Sequence, residues 1–373
     1  MSGTTSTPEL ASLLATKRVL VLCGPGGVGK TTTSAALGLA AARSGRKVLV
    51  LTIDPARRLA DALGLPLSAP TPRAVPAERL AALGLDLGAT SGSLEAWMLD
   101  PRVVFERVIR VLGTPEQTEK ILNTTLFGHL SELAAGMLEY TAGEALYSFA
   151  TEGRYDLIVL DTPPARNALD FLDAPERLSS FLEEGILKFF LPSEGSRFLA
   201  AAGKFVGGVF SRAFGDGFVS ELQVFFGAFG GIFGGMRKHS DGVAALLGSD
   251  DAAFLLVTSP EEDARREAEV FRSELDRRNM PFAGFVLNRS LARLASWPHP
   301  SSFADSTPSL TSALGILAPI ADEERREAEC HAELLAELRA VAGERGFAVA
   351  SPLLLDPGDA LAGLVTLSRE LVR

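Results

Sequence analysis

The chain has 373 residues, 47% of them apolar and 22% charged, with a formal net charge of −10. That length suits two domains, or one with a large insertion, and the acid excess argues against a nucleic-acid partner. Two cysteines, Cys23 and Cys330, can build neither a disulfide framework nor a zinc motif, which points to a reducing, cytoplasmic compartment.

The polar start Met1–Pro8 lacks the basic-then-apolar order of a signal peptide and reads as a disordered tail. Next come an apolar run Arg18–Cys23, a helical pattern Lys30–Ser44, a second run Lys47–Ile53 and a short helix Ala56–Leu63. Residues 94 to 150 read as helices. A third run, Asp156–Leu160, follows. Residues 174 to 247 are helical and rich in Phe and Gly. Runs Ala253–Thr258 and Phe282–Leu287 flank a charged helix, Pro260–Arg278. The Ser/Pro-rich stretch Arg289–Ile320 reads as a long surface loop before a helix Asp322–Ala342.

Short continuous apolar runs separated by helices are the signature of a parallel sheet buried on both faces. The expected fold class is therefore α/β, a mainly parallel sheet flanked by helices plus an inserted helical subdomain; with the glycine-rich loop Gly24-Pro25-Gly26-Gly27-Val28-Gly29-Lys30-Thr31 between a strand and a helix it is that of a phosphate-loop NTPase. The expected boundaries are 1–93 for the first part of the core, 94–150 for a helical insertion, and 151–173 for the strand and loop around Asp161. Residues 174–247 would form the Phe/Gly-rich subdomain and 248–373 the rest of the core.

Gly24-Pro25-Gly26-Gly27-Val28-Gly29-Lys30-Thr31 lies between an apolar run and a helix. In that setting glycines let backbone N–H groups wrap phosphates, and the helix N-terminus adds partial positive charge. Gly24, Gly26, Gly27, Val28 and Gly29 would form the cradle. Lys30 would reach the β- and γ-phosphates, Thr31 would ligate Mg²⁺, and Thr32 could meet the α-phosphate. Asp161 ends a strand and is the expected second Mg²⁺ residue; its other reading is an Asp opening a turn. Asp54 ends another strand and could orient or deprotonate the attacking water. It could equally cap the helix that starts after Pro55, and the two roles are compatible.

Gly24–Thr32, then Thr52-Ile53-Asp54-Pro55-Ala56 with Leu59 and Asp61, then Asp161-Thr162-Pro163-Pro164 with Leu169, together resemble the ArsA family. This family holds the arsenite-pump ATPases and the ATPases that guide tail-anchored membrane proteins, and is related to MinD and ParA. The likeness extends to Val286-Leu287-Asn288, similar to the strand whose Asn reads adenine, and to Pro352–Leu355, similar to a C-terminal loop near the base. It implies ATP and Mg²⁺ as ligands, Asp54 as the water-positioning residue and Asp161 as the Mg²⁺-linked one. It also implies a dimer that opens and closes with nucleotide state.

Three departures bear on function. The family's extra Lys after the first Gly is Pro25 here, so the cation that would cross into a partner's site is missing. Three alternatives follow: a homodimer of this chain is slow, or it uses another cation, with Arg57, Arg58 and Arg166 as candidates, or a Lys-bearing paralogue completes a heterodimer. The arsenite-binding thiol cluster is absent, since trivalent arsenic needs several soft ligands together. The zinc-binding Cys-x-x-Cys is absent too, and the four histidines (His129, His239, His299, His331) have no ligand spacing.

Twelve of the 22 phenylalanines lie between Phe181 and Phe233, and Phe210, Phe214, Phe218, Leu222, Phe226, Phe229 and Phe233 recur at helical spacing. Such a stripe is a subdomain core, a groove for a hydrophobic client helix, or, with few cations, a membrane-contacting face. The apolar run Leu222–Met236 has 15 residues, short of the roughly 18 that suggest a membrane span. A client helix or a membrane-protein partner is thus the expected contact.

Overall fold

A computed structural model describes residues 9–53, 58–65, 69–124, 127, 138–162, 221, 224–225, 227–228, 230–261, 263–298, 308–354 and 359–373. The chain divides into two compact units, 1–98 with 153–168 and 247–373, and 99–152 with 169–246.

The first unit is built on eight strands: β1 Val19–Cys23, β2 Lys47–Thr52, β3 Arg73–Ala74, β4 Ser93–Met98, β5 Leu157–Asp161, β6 Ala252–Thr258, β7 Phe282–Ser290 and β8 Phe347–Pro352. They are ordered β3-β4-β2-β5-β1-β6-β7-β8. All neighbours run parallel except β3, which is antiparallel to β4. Strands β1, β5 and β6 are buried along their whole length, which is why their sequences are apolar without alternation.

The helices described, in chain order, are α1 Glu9–Thr16, α2 Lys30–Arg43, α3 Arg58–Leu63, α4 Ala77–Ala82, α5 Pro101–Leu112, α6 Pro115–Leu122, α7 Leu138–Glu152, α8 Phe233–Leu247, α9 Ala264–Arg277, α10 Pro308–Ala342 and α11 Ala360–Glu370. Helix α2 is rich in Ala and carries Gly38 because it lies close on the sheet. A Cβ on Gly38 would come 2.6 Å from Val50 Cγ2, so a larger residue there would push the helix off β2. Helix α11 docks on the same side, with Arg43 of α2 donating to the Ser368 hydroxyl at 3.3 Å.

Two readings of the sequence are corrected here. The stretch from residue 94 opens as a strand, β4, because its backbone pairs with β2 from Lys47↔Ser93 to Thr52↔Met98; helices begin only at Pro101. The Arg289–Ile320 loop is largely regular: β7 runs to Ser290, a 3₁₀ turn covers Ala292–Ser296, and α10 begins at Pro308. Helix α10 carries Pro319 in its interior. The Ala/Leu-rich neighbours sustain a helix across a residue that removes one hydrogen bond. β3 and β8 are further strands with no counterpart among the apolar runs.

The second unit is helical in all its described elements. Asp100 caps α5 by accepting from Arg102 N–H at 2.9 Å, and α6 opens with a capping box between Thr114 and Gln117. Phe105 stacks on Phe127 at 5.9 Å between centroids. Phe225, Ala228, Ile232 and Met236 are buried at a spacing of three or four, so this part of the Phe/Gly-rich segment packs inward. Of the Phe210–Phe233 stripe itself, every member but Phe233 lies outside the described residues. Among the described residues no helix is long and apolar enough to cross a membrane.

Candidate functional site

The site forms where β1, β2, β5 and β7 end on one edge of the sheet. Register decides this. Asp161, the last residue of β5, sits beside Leu22 of β1 and beside Thr52 of β2. Residues far apart in sequence thus meet at the carboxyl ends of neighbouring strands, where open α/β sheets bind ligands.

The β1–α2 turn is shaped by its glycines. Gly24 has φ +145°, and a Cβ on it would lie 2.1 Å from the Val257 carbonyl oxygen of β6. Gly27 and Gly29 have φ +85° and +91°, a region that costs little only for glycine. Gly26 and Gly27 are exposed at the mouth, while Lys30 and Thr31, the first residues of α2, are buried. Lys30 Nζ donates to the Gly24 carbonyl at 2.8 Å and to the Pro25 carbonyl at 2.9 Å. The ammonium is folded over the loop it belongs to. Thr32 points to solvent-exposed surface one residue on.

Asp161 is fully buried. Its Oδ2 accepts from Thr31 Oγ1 at 2.7 Å and from Thr52 Oγ1 at 2.9 Å, and its Oδ1 takes a longer 3.5 Å contact from Ser34 Oγ. A buried carboxylate persists only with such donors around it. Behind it, Thr162 Oγ1 donates to the Leu22 carbonyl at 2.8 Å, tying the residue after β5 to β1. Cys23, fully buried at the end of β1, has its thiol pushed up to about 12, chiefly by burial. It is an inert packing residue, not a nucleophile or soft metal ligand.

Asn288, near the end of β7, is buried and donates through Nδ2 to the Val28 carbonyl at 2.8 Å. The structure therefore brings together Gly24, Gly26, Gly27, Val28, Gly29, Lys30, Thr31, Asp161 and Asn288. Asp54 lies outside the described residues, as do Arg57 and Arg166; Arg58 opens α3 as an exposed residue. Pro352 ends β8 and Leu353 is exposed, whereas Leu355 lies outside the described residues. Sequence reasoning gave no role to Thr52, Ser34 or Thr162. The available signal was a hydroxyl residue at each strand or helix end that faces the acidic tip.

The donor set suits a hard divalent cation, since Thr31 and Asp161 offer oxygen and no soft atom. Among the described residues no cluster of His, Cys, Asp or Glu is placed to hold a metal by itself. Such a cation would share its ligands with a bound phosphate, as Mg²⁺ does.

Residues 17–191 match the model of the anion-transporting ATPase family, ArsA. That segment, somewhat less than half of the chain, is similar to the ArsA ATPases. An Aquifex aeolicus protein named for arsenical pump-driving ATPase activity is 31% identical over 172 residues, 45% of this chain and 40% of its own length. An ASNA1 homologue ATPase of Entamoeba dispar is 33% identical over 176 residues, 44% of this chain and 47% of its own. An uncharacterised Streptomyces coelicolor protein is 33% identical over 163 residues, 43% of this chain and 38% of its own. The chain thus spans about half or less of these relatives. The ArsA match contains the β1–α2 loop, Thr52 and Asp161 and stops well before Asn288 and Pro352.

Proposed function

We propose that this chain binds Mg²⁺–ATP at the β1–α2 loop and hydrolyses it. The observation that carries the reading is the buried Thr31–Asp161–Thr52 hydrogen-bond set directly behind the Lys30 loop. Lys30 exchanges its two carbonyl partners for phosphate oxygens, and the N-terminus of α2 adds its partial positive charge. Thr31 would hold Mg²⁺ through a hydroxyl lone pair, its O–H being donated to Asp161 Oδ2 behind it. When bound, Mg²⁺ offsets charge on the phosphates. Asp54 positions the attacking water, and the Asn288 amide reads the adenine. Hydrolysis drives subdomain and dimer switching that handles a hydrophobic protein client or a membrane partner in the cytoplasm.

Lys30→Ala tests the site. Binding of a fluorescent ATP analogue and phosphate release should both fall to background. Wild-type turnover in that variant would remove the loop from the chemistry.

A second reading rests on Pro25, which stands where the family's crossing Lys would be and whose carbonyl accepts from Lys30. The chain would then be an ATP-binding, weakly hydrolysing regulatory subunit of a heterodimer with a Lys-bearing paralogue. Phosphate release that rises only when such a paralogue is added favours it.

A further inference from the structure

We propose that Asn288 is a positioning residue that sets the phosphate loop itself, in addition to any contact with a base. The inference rests on the nucleotide site proposed above.

Three observations on β7 and the loop converge. First, Asn288 Nδ2 donates to the Val28 carbonyl at 2.8 Å, in a buried setting. Because the acceptor is a carbonyl, only the nitrogen end of the amide can face it, which fixes the amide's orientation. Second, a Cβ on Gly29 would lie 2.2 Å from that same Nδ2. The glycine is therefore needed to let the amide reach the loop, as well as for its own φ of +91°. Third, the strand is bent to deliver the residue. The β7–β8 register shifts between Leu287 and Ser290, and Arg289, the next residue after Asn288, takes φ +56°. A residue with a side chain adopts that conformation only where the surroundings impose it, and such positions gather at ligand sites.

The physical consequence runs through one peptide group. The Val28–Gly29 peptide is planar and trans, so its carbonyl and its N–H point in opposite directions. Holding the Val28 carbonyl on Asn288 fixes where the Gly29 N–H points. That N–H is one of the phosphate-loop donors, adjacent to Lys30. The second amide proton and Oδ1 of Asn288 are the groups with which it would meet a base. One side chain from β7 then couples the base end of the site to its phosphate end.

A ligand with phosphates and no base separates the two roles. Binding of Mg²⁺–tripolyphosphate and Mg²⁺–ATP is measured by competition against a fluorescent ATP analogue, for the full chain and for Asn288→Ala and Asn288→Leu. Leu keeps the branched heavy-atom skeleton of Asn while removing the donor, and Ala removes the side chain beyond Cβ, so agreement between the two guards against a simple packing defect; the thermal midpoint of each variant is measured beside it. Loss of one loop brace should weaken tripolyphosphate by about fivefold in both variants, and ATP by at least as much, because ATP also loses the base contact. If ATP weakens while tripolyphosphate binds as to the wild type, Asn288 only reads the base and the positioning role is wrong. If the wild-type chain binds neither ligand, the nucleotide reading itself fails.

Discussion

Asp161 is held by hydroxyls from one strand, β2, and one helix, α2, and Thr52, like Ser34, has no expected role of its own. It shares Oδ2 with Thr31, so it steadies the oxygen that orients the Thr31 hydroxyl. Thr52→Val keeps the shape and removes the donor. The variant should lose about 1–3 kcal/mol in urea unfolding, the cost of under-satisfying a buried charged group. It should also need more Mg²⁺ for half-maximal ATP binding, with Thr52→Ser restoring both. A Val variant with wild-type stability and Mg²⁺ dependence would show that Thr31 and Ser34 suffice. The glycines behave differently: Gly24 and Gly29 are fixed by what a Cβ would hit, whereas Gly27 has open space and is needed for its φ alone.

At the scale of the element, the end of β7 is anchored from α10. His331 Nδ1 accepts the Leu291 N–H at 3.0 Å, three residues beyond Asn288. That contact needs the nitrogen unprotonated, and burial lowers the His331 pKa from its ordinary 6.5, against a smaller opposing pull from Glu327. A base whose folded pKa is depressed is protonated first in the unfolded chain. Its contribution to stability is therefore complete above about pH 6.5 and drains away as pH falls through 6.5 toward the folded value. Wild type should lose about 1 kcal/mol more than His331→Leu between pH 7.5 and 5.5 in urea unfolding. Equal losses would show that the imidazole carries no pH-dependent load. The same helix shows how propensity and context trade. Ser, Pro and Gly around 306–319 look like punctuation, but the Ala-Leu-Gly-Ile-Leu-Ala run from 313 to 318 continues helix through them. β4 shows the converse, a six-residue segment whose strand state comes from its partner β2 and not from its own pattern.

For the whole molecule, Pro25 is the residue on which the two proposed readings divide. A cation reaching a transition state from across an interface is worth about 10³–10⁵ in rate. If that group is what this chain lacks, Pro25→Lys should raise phosphate release per chain at least about tenfold. The gain should grow with protein concentration as chains pair. An unchanged, concentration-independent rate would mean that the missing Lys does not limit turnover. The family match over residues 17–191 contains the phosphate loop and Asp161, so the site's centre is read from shared sequence. Asn288 lies outside that match and is expected from the local resemblance at Val286-Leu287-Asn288, whereas His331, also outside it, is read from packing alone.

Local pattern by itself determined five apolar strands, the glycine-rich turn between β1 and α2, and Asp161 as an acidic strand end. These are short-range statements: an apolar run, glycines at fixed spacing, an acid where a strand stops. Tertiary structure alone decided that Asp161 answers to Thr52 as well as Thr31, that Asn288 clamps Val28, and that residues 93–98 are strand. Each of these depends on register between segments tens to hundreds of residues apart, and a hydrogen bond across that distance leaves no periodic trace in the sequence of either partner.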